Sequence, residues 1–183
     1  MIKSFKQFIS VLLEKKGETH SYGCAMVYFN FPQMAELHSL IEPEDVYTEE
    51  GDRSYGLEDE PHTTLLYGLH SNEIPDETVM QICMSEPISE IRLSNPSLFE
   101  NQDYDVLKFD ASCEALNLIN EKLTKLPHTT NFPDYHPHAT IGYLKPGMGK
   151  KYVSKLAGQE YLVKPKKIVY SKPDGDRIEK EWN

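Results

Sequence analysis

The chain has 183 residues and a mass of 21.0 kDa, which indicates one domain with enough chain to bury a core. Hydrophobic residues make up 39% of it, the mean hydropathy is −0.54, and no apolar run approaches the roughly 20 residues of a membrane span. The net charge of −10 argues against a protein that grips long DNA or RNA through phosphates, but it is compatible with a small nucleotide ligand. The lysine-punctuated start is unlike a secretory signal and the three widely spaced cysteines suggest free thiols, so we expect a cytoplasmic protein.

The first third of the chain predicts two helices, a strand and an acidic loop. Apolar residues spaced by three and four predict an amphipathic helix over residues 3–16, which we expect to pack on the domain. A strand is predicted over Tyr22–Phe29, and a short helix follows Pro32 and stops at Pro43. Residues 42–60 are rich in acidic side chains and are expected to form a solvated loop.

The rest of the chain alternates strands and helices. In order, the predicted elements are a strand at 62–69, a helix from Pro75 to Cys83, strands at Ile91–Phe99 and Tyr104–Phe109, a helix from Ser112 to Leu126, a strand at 138–144, and a terminal strand pair, Lys167–Ser171 and Arg177–Trp182, around a tight turn. This mixture predicts the α+β class. We expect a single domain over 1–183, with the N-terminal helix and the tail 173–183 as extensions.

A seven-residue pattern occurs twice, once in each half of the chain. Pro61–Tyr67 and Pro137–Tyr143 both read Pro-His-x-Thr followed by an aliphatic residue, one further residue and a tyrosine, and their histidines are 76 positions apart (138 − 62). A single His-x-Thr in a strand is usually a half-buried histidine satisfied by its neighbours. Two copies with identical offsets indicate a paired functional site and two similar lobes related by a pseudo-twofold axis, with the motif strands facing each other across a cleft.

Alternation along a strand predicts which side chains form that site. His62 and Thr64 share one face of their strand, and His138 and Thr140 share the matching face of the other. The alternate positions, which include both tyrosines of the pattern, are predicted to face the core. Gly142, on the His/Thr side, is predicted to let a ligand approach the backbone closely.

These residue types suit phosphoryl chemistry. Two histidines across a cleft can act as general base and general acid near neutral pH, each contributing roughly 10²–10⁴-fold to the rate. Two threonine hydroxyls can donate hydrogen bonds to the non-bridging oxygens of a phosphate held between the rings. In-line cleavage of a phosphodiester by this arrangement needs no metal or cofactor. The two near-identical copies do not show which histidine is the base.

The pattern resembles the 2H phosphoesterase superfamily, which is named for two His-x-Thr/Ser motifs on a duplicated α+β scaffold. The resemblance covers roughly residues 20–172, and His62, Thr64, His138 and Thr140 match the superfamily motif position by position. It implies a bilobal fold with antiparallel sheets lining a central groove and helices outside. It also implies metal-independent chemistry on cyclic phosphates or phosphodiesters of nucleotides.

Within that superfamily the chain is most similar to the small phage-encoded anti-CBASS phosphodiesterases. The similarity lies in the compact length, the acidic body, and the segments Ser21–Cys24 and Glu60–Gly68. It implies a monomeric enzyme of the host cytoplasm that opens cyclic di- and trinucleotide immune signals, such as 3′,3′-cGAMP. A ribose 2′-hydroxyl would attack the adjacent 3′–5′ phosphodiester and leave a 2′,3′-cyclic phosphate or its hydrolysed product.

A cyclic nucleotide also needs surfaces on which its bases can stack. Tyr22, Tyr135 and Trp182 are the candidates, although core or surface packing is the alternative for each of them. Glu179 and Trp182 lie in the C-terminal tail, and we hypothesise that they help to close the site as a lid. A frayed terminus is the alternative for this tail.

Three other interpretations are open at this stage. A 2′,3′-cyclic phosphodiesterase or 2′–5′ RNA ligase-like enzyme acting on RNA ends would use the same four residues, and a basic rim would favour it. A non-catalytic sponge could sequester cyclic nucleotides, although binding alone does not require both an acid and a base. His136 and His138 suggest a metal site, which Pro137 between them and the lack of nearby carboxylates other than Asp134 make a weaker hypothesis. Four further histidines belong to no pattern: His20, His38, His70 and His128.

Overall fold

The computed structural model describes residues 20–52, 54–132 and 134–182, so the predicted helix at 3–16 lies outside the described residues. Seven β-strands and four α-helices occur within these ranges, in the mixed order that the α+β prediction requires. No helix in this part of the chain has the length and apolar character needed to cross a membrane.

The strands and helices follow the predicted order closely. The strands are β1 (Tyr22–Asn30), β2 (His62–His70), β3 (Ile91–Glu100), β4 (Asp105–Ser112), β5 (His138–Leu144), β6 (Tyr161–Ser171) and β7 (Arg177–Glu181). The helices are α1 (Met34–Ser39), α2 (Asp76–Cys83), α3 (Glu114–Leu123) and α4 (Gly149–Leu156), with a 3₁₀ turn at Pro43–Asp45. Neither α4 nor the first half of β6 was predicted from the sequence.

The strands form two antiparallel groups, one in each lobe. One group has the order β2-β1-β6-β7 and the other the order β5-β4-β3. The groups join at two narrow places: β2 pairs with β5 only at Thr63 and Ala139, and β3 pairs with the first three residues of β6. Each lobe therefore has one motif strand at the edge that faces the other lobe. The two motif strands pair at Thr63 and Ala139, the middle residues of the two His-x-Thr tripeptides.

One face of this sheet packs against the helices and forms the core. In α3, Leu116, Ile119 and Leu123 recur at helical spacing and are fully buried. They pack with alternate residues of the strands, among them Ala25, Val27, Leu65, Phe109 and Ala139. Each fully buried aliphatic side chain of this kind stabilises the fold by about 1.5–3 kcal/mol.

The same β-bulge occurs in both motif strands. In β2, Met26 pairs with Thr64 and Ala25 with Leu66, so Leu65 is an extra residue. In β5 the pairing skips Ile141, which lies 76 positions after Leu65. A bulge reverses the alternation of the residues that follow it.

The prediction that both tyrosines of the pattern face the core is wrong because of these bulges. Tyr67 packs beside Cys24 and Met26 on the face that carries the motif side chains, and Tyr143 joins a tyrosine cluster on that face. The core positions are filled instead by consecutive aliphatic residues, such as Leu65 and Leu66, which are both buried.

The acidic segment 42–60 is not simply a solvated loop, because part of it forms backbone hydrogen bonds with β5. The backbone N–H of Tyr143 donates to Gly56 (2.8 Å), and that of Glu58 donates to Ile141 (3.0 Å). Asp45 in this segment is buried and accepts a hydrogen bond from the Tyr152 hydroxyl (2.5 Å). The expectation of a fully solvated loop is therefore wrong for this stretch.

This segment also accounts for Gly142. A Cβ added at Gly142 would lie 2.9 Å from Cδ2 of Leu57 and 3.3 Å from the carbonyl oxygen of Gly56. The glycine therefore makes room for the protein's own chain. The prediction that it lets a ligand reach the backbone is wrong, since Leu57 covers it.

Candidate active site

The four motif side chains lie on one face of the sheet, here called the His/Thr face. Thr63 and Ala139 pair directly and are fully buried, so the residues on either side of them project to the opposite face. Continuing this antiparallel register places His62 opposite Thr140 and Thr64 opposite His138. The two histidines therefore occupy one diagonal, with Cβ atoms roughly 7–8 Å apart, and the threonines occupy the other.

Both imidazoles are fixed by the same backbone contact. Nδ1 of His62 lies 2.8 Å from the carbonyl oxygen of Glu60, and Nδ1 of His138 lies 2.9 Å from that of His136. A carbonyl oxygen only accepts, so each Nδ1 carries a hydrogen. In the neutral ring Nε2 is then the unprotonated atom and is available to take a proton. This places a potential base on each histidine.

A polar network on β3 and β4 surrounds His138. Asp110 pairs with His138 across the β4–β5 ladder, and Lys108 pairs with Thr140. The Lys108 ammonium group is buried and donates to Asp110 Oδ1 (2.7 Å) and Ser97 Oγ (2.9 Å). It also lies 4.7 Å from the centre of the Phe99 ring.

The Phe99 ring contacts both the Lys108 ammonium group and the His138 ring. It meets the His138 ring edge-on, with centroids 4.9 Å apart and an interplanar angle of 89°. On the other side of Asp110, Asn95 donates from Nδ2 to Oδ2 (2.6 Å). Asn95 belongs to the irregular part of β3 and has a φ of 53°, an uncommon value for a residue other than glycine. The network therefore holds Asp110 from two sides.

His62 has a different set of neighbours. The Tyr28 ring stacks on it, with centroids 4.9 Å apart and planes 23° from parallel. Arg177 and Lys167 approach the Tyr28 ring at 5.5 and 5.4 Å, and Arg177 donates to the Tyr28 hydroxyl (3.2 Å). Oε2 of Glu58 lies 3.9 Å from Nδ1 of His62.

These surroundings give the two histidines different electrostatic environments. Burial lowers the pKa of His138, and although its hydrogen bond to His136 acts in the other direction, the Lys108 cation reinforces the lowering. Burial also acts to raise the pKa of Asp110, but hydrogen bonds from Lys108 and Asn95 hold it below its ordinary value. At neutral pH this corner therefore holds an uncharged imidazole beside a Lys–Asp ion pair.

One cavity is lined by two of the four motif residues, and a second cavity begins at a neighbour of His62. The first, of about 480 Å³, lies between β2 and the 124–137 loop and reaches Thr64 and His138, with Tyr67 and Phe132 on its walls. The other, of about 650 Å³, begins at Tyr28 beside His62 and extends along Glu58–Pro61. Each has the size of a small-molecule site.

Tyr135 lies beside the motif residues, whereas Tyr22 does not. The Tyr135 hydroxyl donates to the carbonyl oxygen of Thr64 (2.9 Å), and its ring lines the smaller cavity. Tyr22 begins β1, six residues before Tyr28, which is roughly 20 Å along the strand. It packs against Tyr67 at that distant end. Tyr28 occupies the aromatic position next to His62 instead.

The two tail residues lie on opposite faces of β7 and its continuation. Glu179 is on the His/Thr face, where Lys167 donates to it (2.7 Å) and holds the pKa of its carboxyl below its ordinary value. Trp182 packs against the core, and its Nε1–H donates to the carbonyl oxygen of Ile88 (3.1 Å). The structure therefore does not bring these two residues together over the site.

Lys108, Phe99, Tyr28 and Arg177 were not identified by the sequence analysis. Strand pairing or ring contacts from other strands place the first three next to a motif residue. Arg177 contacts Tyr28 rather than a motif residue. The alternation of β4 did contain a signal, because Lys108 and Asp110 are polar residues at the same parity within an apolar run.

The fold can be compared with solved structures. No protein-family model and no curated protein sequence matches the chain. Usb1 of Kluyveromyces marxianus is similar over 88% of this chain and 98% of that one, with 9% identity and a TM-score of 0.51. Its structure with uridine monophosphate gives 10% identity and a TM-score of 0.55 over the same shares. LigT of E. coli with 3′-AMP is similar over 88% of this chain and 96% of that one, with 10% identity and a TM-score of 0.44.

The likeness to Usb1 over nearly its whole length shows the fold. The chain has the α+β, two-lobed architecture of the 2H-phosphoesterase-like fold, which confirms the predicted fold class. In this fold the two motif strands lie side by side at the junction of the lobes.

Proposed function

We propose that the protein is a metal-independent phosphodiesterase that uses His62 and His138 as its acid–base pair. The observation that carries this proposal is the diagonal arrangement of two histidines and two threonines, with both Nδ1 atoms tied to backbone carbonyls. A binding site alone would not need two rings held so that both Nε2 atoms are available to the ligand. The fold shared with Usb1, a protein solved with a nucleotide, supports a nucleotide as the substrate.

The reaction follows from this geometry. The hydroxyls of Thr64 and Thr140 donate to the two non-bridging oxygens of the phosphate. A ribose 2′-hydroxyl attacks phosphorus while the base takes its proton, and the P–O bond to the 5′ oxygen breaks while the acid protonates that oxygen. The products are a free 5′-hydroxyl and a 2′,3′-cyclic phosphate, and a second, hydrolytic step converts the latter to a monoester.

We assign the base to His138 and the acid to His62. Burial and the Lys108 cation favour an uncharged His138, which can accept a proton at neutral pH. The Glu58 carboxylate, 3.9 Å from Nδ1 of His62, is a partner for a protonated ring. The two roles thus match the charges that surround each ring.

For the substrate we propose a cyclic di- or trinucleotide, such as 3′,3′-cGAMP, so that the protein counteracts CBASS defence. The smaller cavity reaches Thr64 and His138, and the larger one begins at Tyr28, whose ring stacks on His62, so each is a candidate place for one nucleoside of the substrate. Phe132, 52% exposed on the wall of the smaller cavity, offers a face on which a base can stack. The net charge of −10 favours a small ligand over long RNA.

The test is incubation of the purified protein with 3′,3′-cGAMP in excess EDTA, followed by mass analysis of the products. Linear products from the wild type, absent with His138→Ala and unchanged with His20→Asn, would support the proposal. His20 is a suitable control because it lies at the far end of β1 from the motif histidines.

Two other outcomes would favour the alternative functions. Cleavage of RNA 2′,3′-cyclic phosphates with 3′,3′-cGAMP left intact would favour the enzyme of RNA ends. Recovery of bound but unaltered 3′,3′-cGAMP would favour the sponge and contradict the catalytic proposal.

A further inference from the structure

A second cluster of titratable side chains lies at the opposite end of β1 and β2. His20 precedes β1, His70 ends β2, and Glu73 follows in the turn before α2. Oε1 of Glu73 lies 2.8 Å from Nδ1 of His20 and 3.3 Å from Nδ1 of His70. One ligand atom from each residue lies within 4.8 Å of the other two. These residues belong to no sequence pattern, because the pairing of β1 and β2 brings them together.

We propose that His20, His70 and Glu73 form a binding site for a divalent transition metal ion, of which Zn²⁺ is the best fit. Two imidazole nitrogens and a carboxylate oxygen are ligands that Zn²⁺ accepts, and a water can complete a tetrahedral set. This site is structural rather than catalytic. His70 is eight residues along β2 from His62, roughly 25 Å away.

His70 is oriented as a metal ligand would be. Its Nε2 lies 2.8 Å from Oγ1 of Thr129, a hydroxyl that can accept a hydrogen bond from Nε2–H and so hold the ring in place. In the metal-bound form that we propose, Nε2 carries the hydrogen and Nδ1 presents its lone pair to the ion. His70 is only 9% exposed, and among the described residues its Nδ1 has no hydrogen-bond partner. A buried polar atom of this kind is unfavourable, and a cation between Nδ1 and the Glu73 carboxylate would satisfy it.

The backbone around the cluster is already held in place. The N–H of Ser71 donates to the carbonyl oxygen of Ser21 (2.7 Å), and the Ser71 hydroxyl donates to the same oxygen (2.8 Å). The N–H of Ser21 donates to Oδ1 of Asn72 (3.2 Å). These bonds connect the residue after His20 to the turn between His70 and Glu73, so little chain ordering is needed to bind an ion.

Only one adjustment is required. The His20 and His70 rings are stacked, with centroids 3.8 Å apart and planes 14° from parallel, so an ion cannot lie in both ring planes at once. His70 is held by Thr129, whereas His20 lies at the edge of the sheet and is only half-buried. The His20 ring therefore tilts towards the ion. The bound metal joins the chain before β1 to the turn before α2.

The experiment uses the metal-free, full-length protein. Co²⁺ is titrated first, because a tetrahedral Co²⁺ site absorbs visible light strongly. We expect one equivalent to bind to the wild type, and Zn²⁺ to displace it. Zn²⁺ at 100 times its Kd should raise Tm by roughly 5–10 °C. Glu73→Gln, a change at a partly exposed side chain, should abolish the absorption and the rise in Tm while leaving the protein folded.

His128→Gln is the matched control. His128 pairs with Leu69 beside the cluster, but its own Nδ1 contacts the carbonyl oxygen of Leu126 (2.8 Å). The His128→Gln variant should bind Co²⁺ like the wild type. No binding by the wild type, equal binding by Glu73→Gln, or loss of binding only in His136→Ala would each overturn the proposal. Because the readouts are absorption and Tm, the result is independent of whether the protein cleaves phosphodiesters.

Discussion

Replacing Lys108 by methionine would test whether the buried ion pair beside His138 tunes catalysis. Nζ of Lys108 lies 4.7 Å from the centre of the Phe99 ring, which is itself 4.9 Å from that of His138. The cation is therefore within about 10 Å of the imidazole ring, and about 10 Å serves as an order-of-magnitude distance to a phosphate bound beside that ring. At that distance, with an effective dielectric constant of about 20, two unit charges interact by about 1.7 kcal/mol, which is roughly a 20-fold effect on a rate.

The assay is the pH dependence of kcat/KM for the cyclic nucleotide that we propose as the substrate. Lys108→Met should lower kcat/KM at pH 7 by roughly 20-fold, because a cation near the anionic phosphate is lost and the Asp110 carboxylate is left unpaired. The acid limb of the profile should also move to higher pH. The direction follows from the loss of a cation that lowers the pKa of His138, so that the base becomes protonated sooner as the pH falls.

Two further variants separate charge from packing. Lys108→Met combined with Asp110→Asn removes both charges and should recover most of the lost activity, which a packing defect would not allow. Lys150→Met breaks an exposed ion pair with Glu100 (3.0 Å) and should behave like the wild type. A single Lys108→Met variant with the wild-type profile, or a double variant that is slower still, would refute this reasoning.

Three other outcomes are expected. His62→Ala and His138→Ala should each lower kcat by roughly 10²–10⁴-fold while the Kd for a labelled nucleotide changes only a few-fold; near-wild-type turnover by either would contradict the acid–base assignment. Gly142→Ala should lower the free energy of unfolding in urea by about 1–3 kcal/mol, since its Cβ would meet Leu57 at 2.9 Å, and Leu57→Ala in the same chain should relieve part of this loss. Phe132→Ala should raise KM by roughly tenfold through lost stacking without changing Tm, because the ring is 52% exposed; an unchanged KM would remove the smaller cavity from the binding site.

Most of the strands, and the presence of one motif in each of two similar strands, could be predicted from the sequence, because both depend on local patterns. The repeat at Pro61 and Pro137 located both motif strands, and alternation located β3 and β4. The bulges at Leu65 and Ile141 could not be found in this way. One extra residue leaves no mark on composition, yet it moves the following tyrosine to the other face.

The spacing of the two tail residues is enough to predict that they face opposite ways. Glu179 and Trp182 are three positions apart, and an odd separation along an extended chain places two side chains on opposite faces. They could not both have covered one cleft. By contrast, the choice of Tyr28 over Tyr22 depends on the register between β1 and β2, which no single strand reveals.

The acid and base roles that we propose for the two histidines are argued from the strands next to the repeat rather than from the repeat itself. Both copies have the same bulge and the same bond from Nδ1 to a carbonyl two residues earlier, so by themselves they are equivalent. Next to His138, β4 contributes a buried ammonium and a carboxylate, whereas next to His62, β1 contributes the Tyr28 ring. Burial raises the pKa of Tyr28 to about 12, so its phenol stays neutral at physiological pH and adds no charge. In the mechanism that we propose, the duplicated strand supplies two equivalent imidazoles, and the residues on the neighbouring strands make His138 rather than His62 the one that accepts the proton.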